Sequence, residues 1–196
     1  MKQPLDRLID RHRMGVQGVI HIGGNTGEEY DMYRKCNINP IIWFEPGIAH
    51  KDIQGGLVMP FALGAERRED FLWESFPSTK HTSFLQPYLH LLYYPDIGFR
   101  SALVSTDVYR LDAFYNKDIP SANFIVLDTN GYELEVLKGA AFSLPFIKYI
   151  YTEIYSKELY KDVPMVEQID EYLIDFTRVE TWWYEHGWGD ALYIQK

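Results

Sequence analysis

The sequence is short of cysteine, of basic charge and of long apolar runs. Its one cysteine, Cys36, excludes an internal disulfide and any zinc site built on cysteines. Lys and Arg number 19 against 28 Asp and Glu, a formal net charge of -9. That balance argues against broad attraction to phosphate backbones or anionic membranes. No apolar run reaches the roughly 18 residues of a membrane span, and the opening Met-Lys-Gln-Pro-Leu-Asp-Arg lacks the apolar core of a signal peptide. A cytoplasmic location without a membrane partner is expected. The six histidines include no HExxH pair, no metal site is expected, and no internal repeat points to a solenoid.

What is present fits one packed core. The chain has 196 residues, 46% of them hydrophobic and 16% aromatic, enough for a single domain over 1–196. Leu5, Leu8 and Ile9 predict a short amphipathic helix over 5–14. Val19–Ile22 is a compact apolar run feeding Gly23, Gly24 and Gly27. Glycines there permit a tight turn and close approach of a ligand to backbone. Thr26 with Glu29 matches a capping box, predicting a helix from there to about Lys35. Ile41–Glu45 is a second apolar strand that ends on a carboxylate and stops at Pro46. Glu45 lies about 20 residues beyond Gly23, the separation at which βαβ nucleotide sites place a ribose-binding acid.

Leu57–Leu63 reads as a third strand and Glu66–Asp70 as a charged turn. Residues 71–110 lose strict periodicity, and such a stretch inside a compact domain reads as a lid or binding loop, or as short strands covering the sheet. Phe124–Asp128 is a fourth buried strand, with a helix from Tyr132 to Lys138 capped by Gly139. Tyr149–Glu153 repeats the pattern of apolar strand and terminal acid. Val166, Ile169, Tyr172, Leu173 and Phe176 fall at helical spacing, and Val179–Tyr184 and Ala191–Ile194 flank a hairpin turn at Glu185–Gly189. The result is an α/β fold with a mainly parallel sheet and one antiparallel strand at its end. Ligands in such sheets sit beyond the C-terminal strand ends, where Glu45, Asp128 and Glu153 gather. Ile22 stands where a dinucleotide fingerprint needs glycine, and Glu28 and Glu29 oppose a pyrophosphate. S-adenosylmethionine, cationic and free of phosphate, suits the same turn.

Several motifs resemble those of FkbM-type methyltransferases. They are His21-Ile-Gly-Gly-Asn-Thr-Gly27, Trp43-Phe-Glu-Pro46, Phe61-Ala-Leu-Gly64, Arg110-Leu-Asp-Ala-Phe114, the block from Leu127 to Ala140, Tyr151-Thr-Glu-Ile154 and Trp188-Gly-Asp-Ala-Leu-Tyr193. The resemblance runs over about 17–194 in order, and the Asp128–Ala140 block is its most specific part. It implies a class I methyltransferase (Rossmann-like) three-layer sandwich with a seven-stranded sheet, using S-adenosylmethionine to methylate a hydroxyl of a sugar, glycan or small natural product. By that likeness His21, Gly23, Gly24, Asn25 and Gly27 shape the methionine end of the site, Glu45 holds the ribose, and Ala62 and Leu63 border the adenine. Ser83, in the segment His81–Leu85, lies near cofactor or acceptor. Two positions depart from the pattern: His21 stands where the family commonly has Asp, and Val126 where it often has Lys.

Methyl transfer to a hydroxyl is an in-line displacement aided by alignment and by a base. Asp128, which also borders the cofactor, is the first candidate base, followed by Glu153 and His81. Each has a structural alternative: Asp128 as acceptor for backbone N–H groups of the Asn130-Gly131 turn, Glu153 as a hairpin contact, His81 as a solvated loop residue. The expected partner is a small-molecule or carbohydrate acceptor, with a dimer possible through the aromatic insertion. A nucleic-acid 2′-O-methyltransferase is the second enzyme class, disfavoured by charge. A non-catalytic nucleoside- or sugar-binding module is the third.

Overall fold

A computed structural model describes residues 2–115 and 122–196. In chain order its helices are α1 (Leu5–His12), α2 (Tyr30–Lys35), α3 (Leu89–Tyr93), α4 (Glu133–Gly139) and α5 (Val166–Tyr172). Its strands are β1 (Val19–Ile22), β2 (Ile41–Phe44), β3 (Leu57–Met59), β4 (Ala62–Leu63), β5 (Arg68–Phe76), β6 (Gly98–Tyr109), β7 (Phe124–Leu127), β8 (Tyr149–Tyr155), β9 (Phe176–Trp183) and β10 (Trp188–Gln195). Seven strands form one sheet in the order β3-β2-β1-β7-β8-β10-β9. Every pairing from β3 to β8 is parallel, and β10 lies antiparallel between β8 and β9. This is the mainly parallel sheet with an antiparallel C-terminal hairpin strand expected from the resemblance.

The central strands are apolar throughout because both faces of a parallel sheet are covered. Their alternation sorts the core into two layers. Val19, Ile41, Trp43, Phe124 and Val126 face α1 and α2, packing with Leu5, Leu8 and Tyr33. Ile20, Ile22, Ile42, Phe44, Ile125 and Leu127 face the other way, toward Leu134, Val136 and Leu137 of α4 and Val166 and Ile169 of α5. Each such buried aliphatic side chain contributes on the order of 1.5–3 kcal/mol. Two helical layers around one sheet are the three-layer sandwich. Among the described residues no helix is long and apolar enough to cross a membrane.

Several local expectations change. The predicted Thr26 cap is not used: Asn25 and Gly27 have φ of 43° and 74°, and α2 starts only at Tyr30, its N–H bonded to the Gly27 carbonyl at 3.0 Å. Positive φ cannot continue into an α-helix, so the turn delays the helix by a full turn. Leu57–Leu63 is two strands in two different sheets, because Pro60 carries no N–H for a continuous ladder. The charged turn is shorter than predicted, since β5 already begins at Arg68. The 71–110 stretch contributes most of a second, three-stranded sheet, β4-β6-β5, in which β5 and β6 form a long antiparallel pair with a register shift at Leu72/Trp73. Gly139 is the last residue of α4 with Ala140 as its cap, and Phe176 opens β9 instead of closing α5. β10 takes up Trp188 and Gly189, so the hairpin turn is shorter too.

Candidate functional site

The C-terminal ends of β1, β2 and β7 converge on a cavity. Gly23, at the end of β1, has φ of 85°, and a Cβ there would stand 1.9 Å from the Asp128 carbonyl oxygen. Only glycine permits that approach of the two strand ends. The Gly23 and Gly24 N–H groups donate to the Phe44 carbonyl at 2.8 and 3.3 Å, and the Asp128 N–H to that of Ile22 at 2.9 Å. Backbone bonds thus tie the three strand ends into one floor.

Glu45 closes one side. One carboxylate oxygen accepts the Asn25 N–H at 2.8 Å and the other the Gly47 N–H at 2.6 Å. Burial pushes its carboxyl up, against the pull of those two bonds. A carboxylate pinned this way keeps a lone pair on each oxygen for a ligand's hydroxyls. Phe44, Ala62, Leu63, Leu72 and Phe84 make an apolar wall beside it. The roof comes from the 71–110 insertion. Thr79 Oγ1 donates to Asn25 Oδ1 at 2.8 Å, and Lys80 pairs with Glu28 at 2.7 Å. On the other flank Asn130 Nδ2 donates to the carbonyls of Lys80 and Thr82 at 3.0 and 3.2 Å.

The lining includes Gly23, Gly24, Asn25, Glu45, Ala62, Leu63, Ser83 and Asp128 from the expected cofactor set. Gly27 is not in it; it turns back to Gly24 and packs against Ile53. Ser83 has its hydroxyl committed, donating to the Asn130 carbonyl at 2.7 Å. His21 is a correction. It is 1% exposed and sits on the face of β1 opposite Ile22, its ring 5.0 Å from that of Trp43. Nδ1 lies 2.9 Å from the Tyr33 hydroxyl, and burial lowers its pKa to about 4. The imidazole packs in the core and is not part of the cavity lining. Glu29, 3.9 Å from His21 Nδ1, is the acid that lines the cavity beside it.

A wider cleft, about 650 Å³, opens next to the cavity. Glu28, Glu29, Lys80, Asp128 and Asn130 line both. Asp128, Glu153 and His81 all reach this cleft. Burial, with the nearby Glu29, Asp190 and Glu45 carboxylates, pushes Asp128 up to about 6. Burial, then Asp128 and Glu133, hold Glu153 well above the carboxylate range, and Tyr155 donates to it at 2.5 Å. The turn-holding role weighed for Asp128 is filled by Glu133, which sequence reasoning missed. Its Oε1 accepts from the N–H groups of Thr129 and Gly131 at 2.9 and 3.2 Å and from the Thr129 hydroxyl at 2.9 Å. Asp190, at the start of β10, also lines the cleft; it receives the hydroxyls of Tyr151 and Tyr184 at 2.5 and 2.8 Å. Both acids sit in motifs already singled out, and only the fold shows which of them are buried.

The chemistry of the cavity fits a cationic, phosphate-free nucleoside. Its lining holds the carboxylates of Glu28, Glu29, Glu45 and Asp128, and its lysine is already paired with Glu28. A pyrophosphate would meet repulsion there, whereas S-adenosylmethionine brings a sulfonium, an ammonium and ribose hydroxyls. Among the described residues no three His, Cys, Asp or Glu side chains come together as a metal site.

Comparison with known proteins agrees. The profile of the methyltransferase FkbM domain matches residues 21–180. No curated protein matches the chain. Among solved structures, magnesium protoporphyrin IX methyltransferase from Synechocystis PCC 6803 with bound SAM superposes with a TM-score of 0.53 at 7% identity, covering 98% of this chain and 76% of that one. An rRNA methylase from Streptococcus thermophilus gives 0.48 at 10% identity, covering 100% and 98%. A tRNA (m1A22) methyltransferase of Streptococcus pneumoniae in complex with S-adenosyl-L-methionine gives 0.49 at 11%, covering 97% and 72%. At such identities the likeness concerns the fold, which is that of the class I methyltransferases.

Proposed function

The chain belongs to the FkbM methyltransferase domain family, with S-adenosylmethionine as its cofactor, and from that premise we propose that it methylates a hydroxyl of a sugar, glycan or small natural product. The observation that carries the proposal is the meeting of cavity and cleft at Asp128. A donor held in the first and an acceptor held in the second come together at its half-buried carboxylate.

When bound, the cofactor supplies the methyl group on a sulfonium for in-line displacement. Glu45 would hold the ribose hydroxyls, and Ala62, Leu63 and Phe44 would border the adenine. Asp128 accepts the acceptor's hydroxyl proton: with a pKa of about 6 it is ionised at neutral pH and close enough to that pH to act as a general base. Glu153, its pKa raised by burial, aligns the acceptor together with Tyr155. Residues 71–110 form the cover on the acceptor side.

Methyl-labelled S-adenosylmethionine, a panel of methyl glycosides and an unmodified RNA transcript test the proposal. The expected result is label on a glycoside oxygen, identified by the carbon shift of its O-methyl group. Label on the RNA instead would overturn it.

A further inference from the structure

We infer that His90 fixes His81 in the tautomer that presents an Nε2–H to the acceptor cleft, making His81 a donor that selects acceptors with an oxygen lone pair beside the methylated hydroxyl. The inference rests on the reading of the cleft as the acceptor site.

The two imidazoles come from different elements. His81 ends the short 3-10 turn Thr79–His81, and His90 lies on α3. His90 Nε2 is 3.2 Å from His81 Nδ1. His90 is 2% exposed, packed by the rings of Tyr94, Phe99 and Tyr160 at 4.8, 5.1 and 5.4 Å. Its main-chain N–H is bonded to the Leu159 carbonyl at 3.0 Å. His81 is held through its main chain, donating to Ser75 Oγ at 3.1 Å and accepting from the Tyr160 hydroxyl at 3.2 Å. Neither ring is a swinging surface histidine.

Who donates follows from the buried nitrogen of His90. Among the described residues its Nδ1 has no hydrogen-bond partner. With both rings neutral, one of two arrangements holds. If His81 donates from Nδ1, His90 must carry its proton on Nδ1, and a buried N–H is orphaned. If His90 donates from Nε2, the atom left without a partner is only a lone pair. Orphaned buried N–H groups are rarer than under-satisfied acceptors, so the second arrangement is selected. Burial lowers His81, and burial with His81 lowers His90 to about 4, which keeps both neutral at working pH. His81 Nδ1 then accepts, and its proton resides on Nε2, the nitrogen with no described partner, on a ring that lines the cleft. A donor in that position bonds a ring ether, carbonyl or hydroxyl oxygen. The expectation of His81 as a base is thereby replaced.

Two-bond nitrogen–proton correlation spectra at pH 7.5, assigned with His81→Gln and His90→Phe, read the tautomers without cofactor or acceptor. The proposal expects a protonated Nε2 and a bare Nδ1 on both rings. His90→Phe should turn His81 into a tautomer mixture, while His90→Gln, whose amide keeps an N–H donor, should restore the single form. Titrating 1,4-dioxane, which offers ether oxygens and no donor, should shift the His81 Nε2–H signal in the wild type and in His90→Gln. A proton on His81 Nδ1, a tautomer indifferent to His90→Phe, or no shift with dioxane would overturn the proposal. The tautomers are measured on the apo chain, so such a failure leaves methyl transfer untouched. Absent methyl transfer with the predicted tautomers would instead count against the proposed function.

Discussion

The cavity and the wider cleft beside it share five residues but are built differently. The floor of the cavity is backbone: strand ends bonded to one another, with Glu45 pinned by two N–H groups. The cleft is side chain, from the 79–81 turn, α3, the segment after β8 and the start of β10. A backbone-built site is fixed by sheet topology and tolerates little change. A site made of side chains on separate segments is open to variation without loss of the fold, which is how one scaffold serves different acceptors.

The sharpest way to break this contrast is at the shared acid. Asp128→Asn should lower turnover by about 10²–10⁴-fold, the usual range for a general base, with S-adenosylmethionine affinity changed less than about threefold. Turnover within tenfold of wild type would leave Asp128 a wall of the cavity only. Next comes the floor. In Gly23→Ala the new Cβ meets the Asp128 carbonyl and the φ of 85° is strained, so a loss on the order of 3 kcal/mol or more is expected together with loss of cofactor binding. Urea unfolding and calorimetry check both, and wild-type stability would show the strand ends to be pliant.

The buried acids give a pH signature. Burial raises Glu133 to about 7 from an ordinary 4.5, and Asp128 to about 6 from 3.8. These two acids hold protons in the native chain that the unfolded chain has released between about pH 4 and 7, while His21 and His90, lowered to about 4 from 6.5, act in the opposite sense up to about pH 6.5. The acids' contribution to stability is complete below the ordinary carboxylate range and is lost as pH rises through the raised values. The urea midpoint of the apo wild type, taken relative to that of Glu133→Gln, should therefore fall from pH 5 to pH 8. A difference that stays constant or rises over the window contradicts the assignment. The smallest effect belongs to the roof: Lys80 and Glu28 are both about half exposed, so Lys80→Gln should cost under about 1 kcal/mol.

The same contrast explains what was legible in the sequence. Strands β1, β2, β7 and the core of β8 are buried on both faces, and their unbroken apolar runs mark them. Glu45 and Asp128 were found because each directly follows such a run. His21 was misplaced because motif position does not say which face of a strand a residue occupies; the pleat turns it away from Ile22 and the cavity. The Thr26 cap failed because positive-φ residues, Asn25 and Gly27, flank it on both sides. The pairing of His81 with His90 had no sequence signal, since it joins a 3-10 turn to a helix across an aperiodic stretch.

Titration calorimetry of the wild type and Glu45→Ala with S-adenosylmethionine tests the cavity most directly. The account predicts micromolar binding by the wild type and a loss of roughly 10–100-fold in the variant, the worth of charge-assisted bonds to two hydroxyls. Equal affinity of the two proteins, or no binding by the wild type at high micromolar concentration, would contradict it.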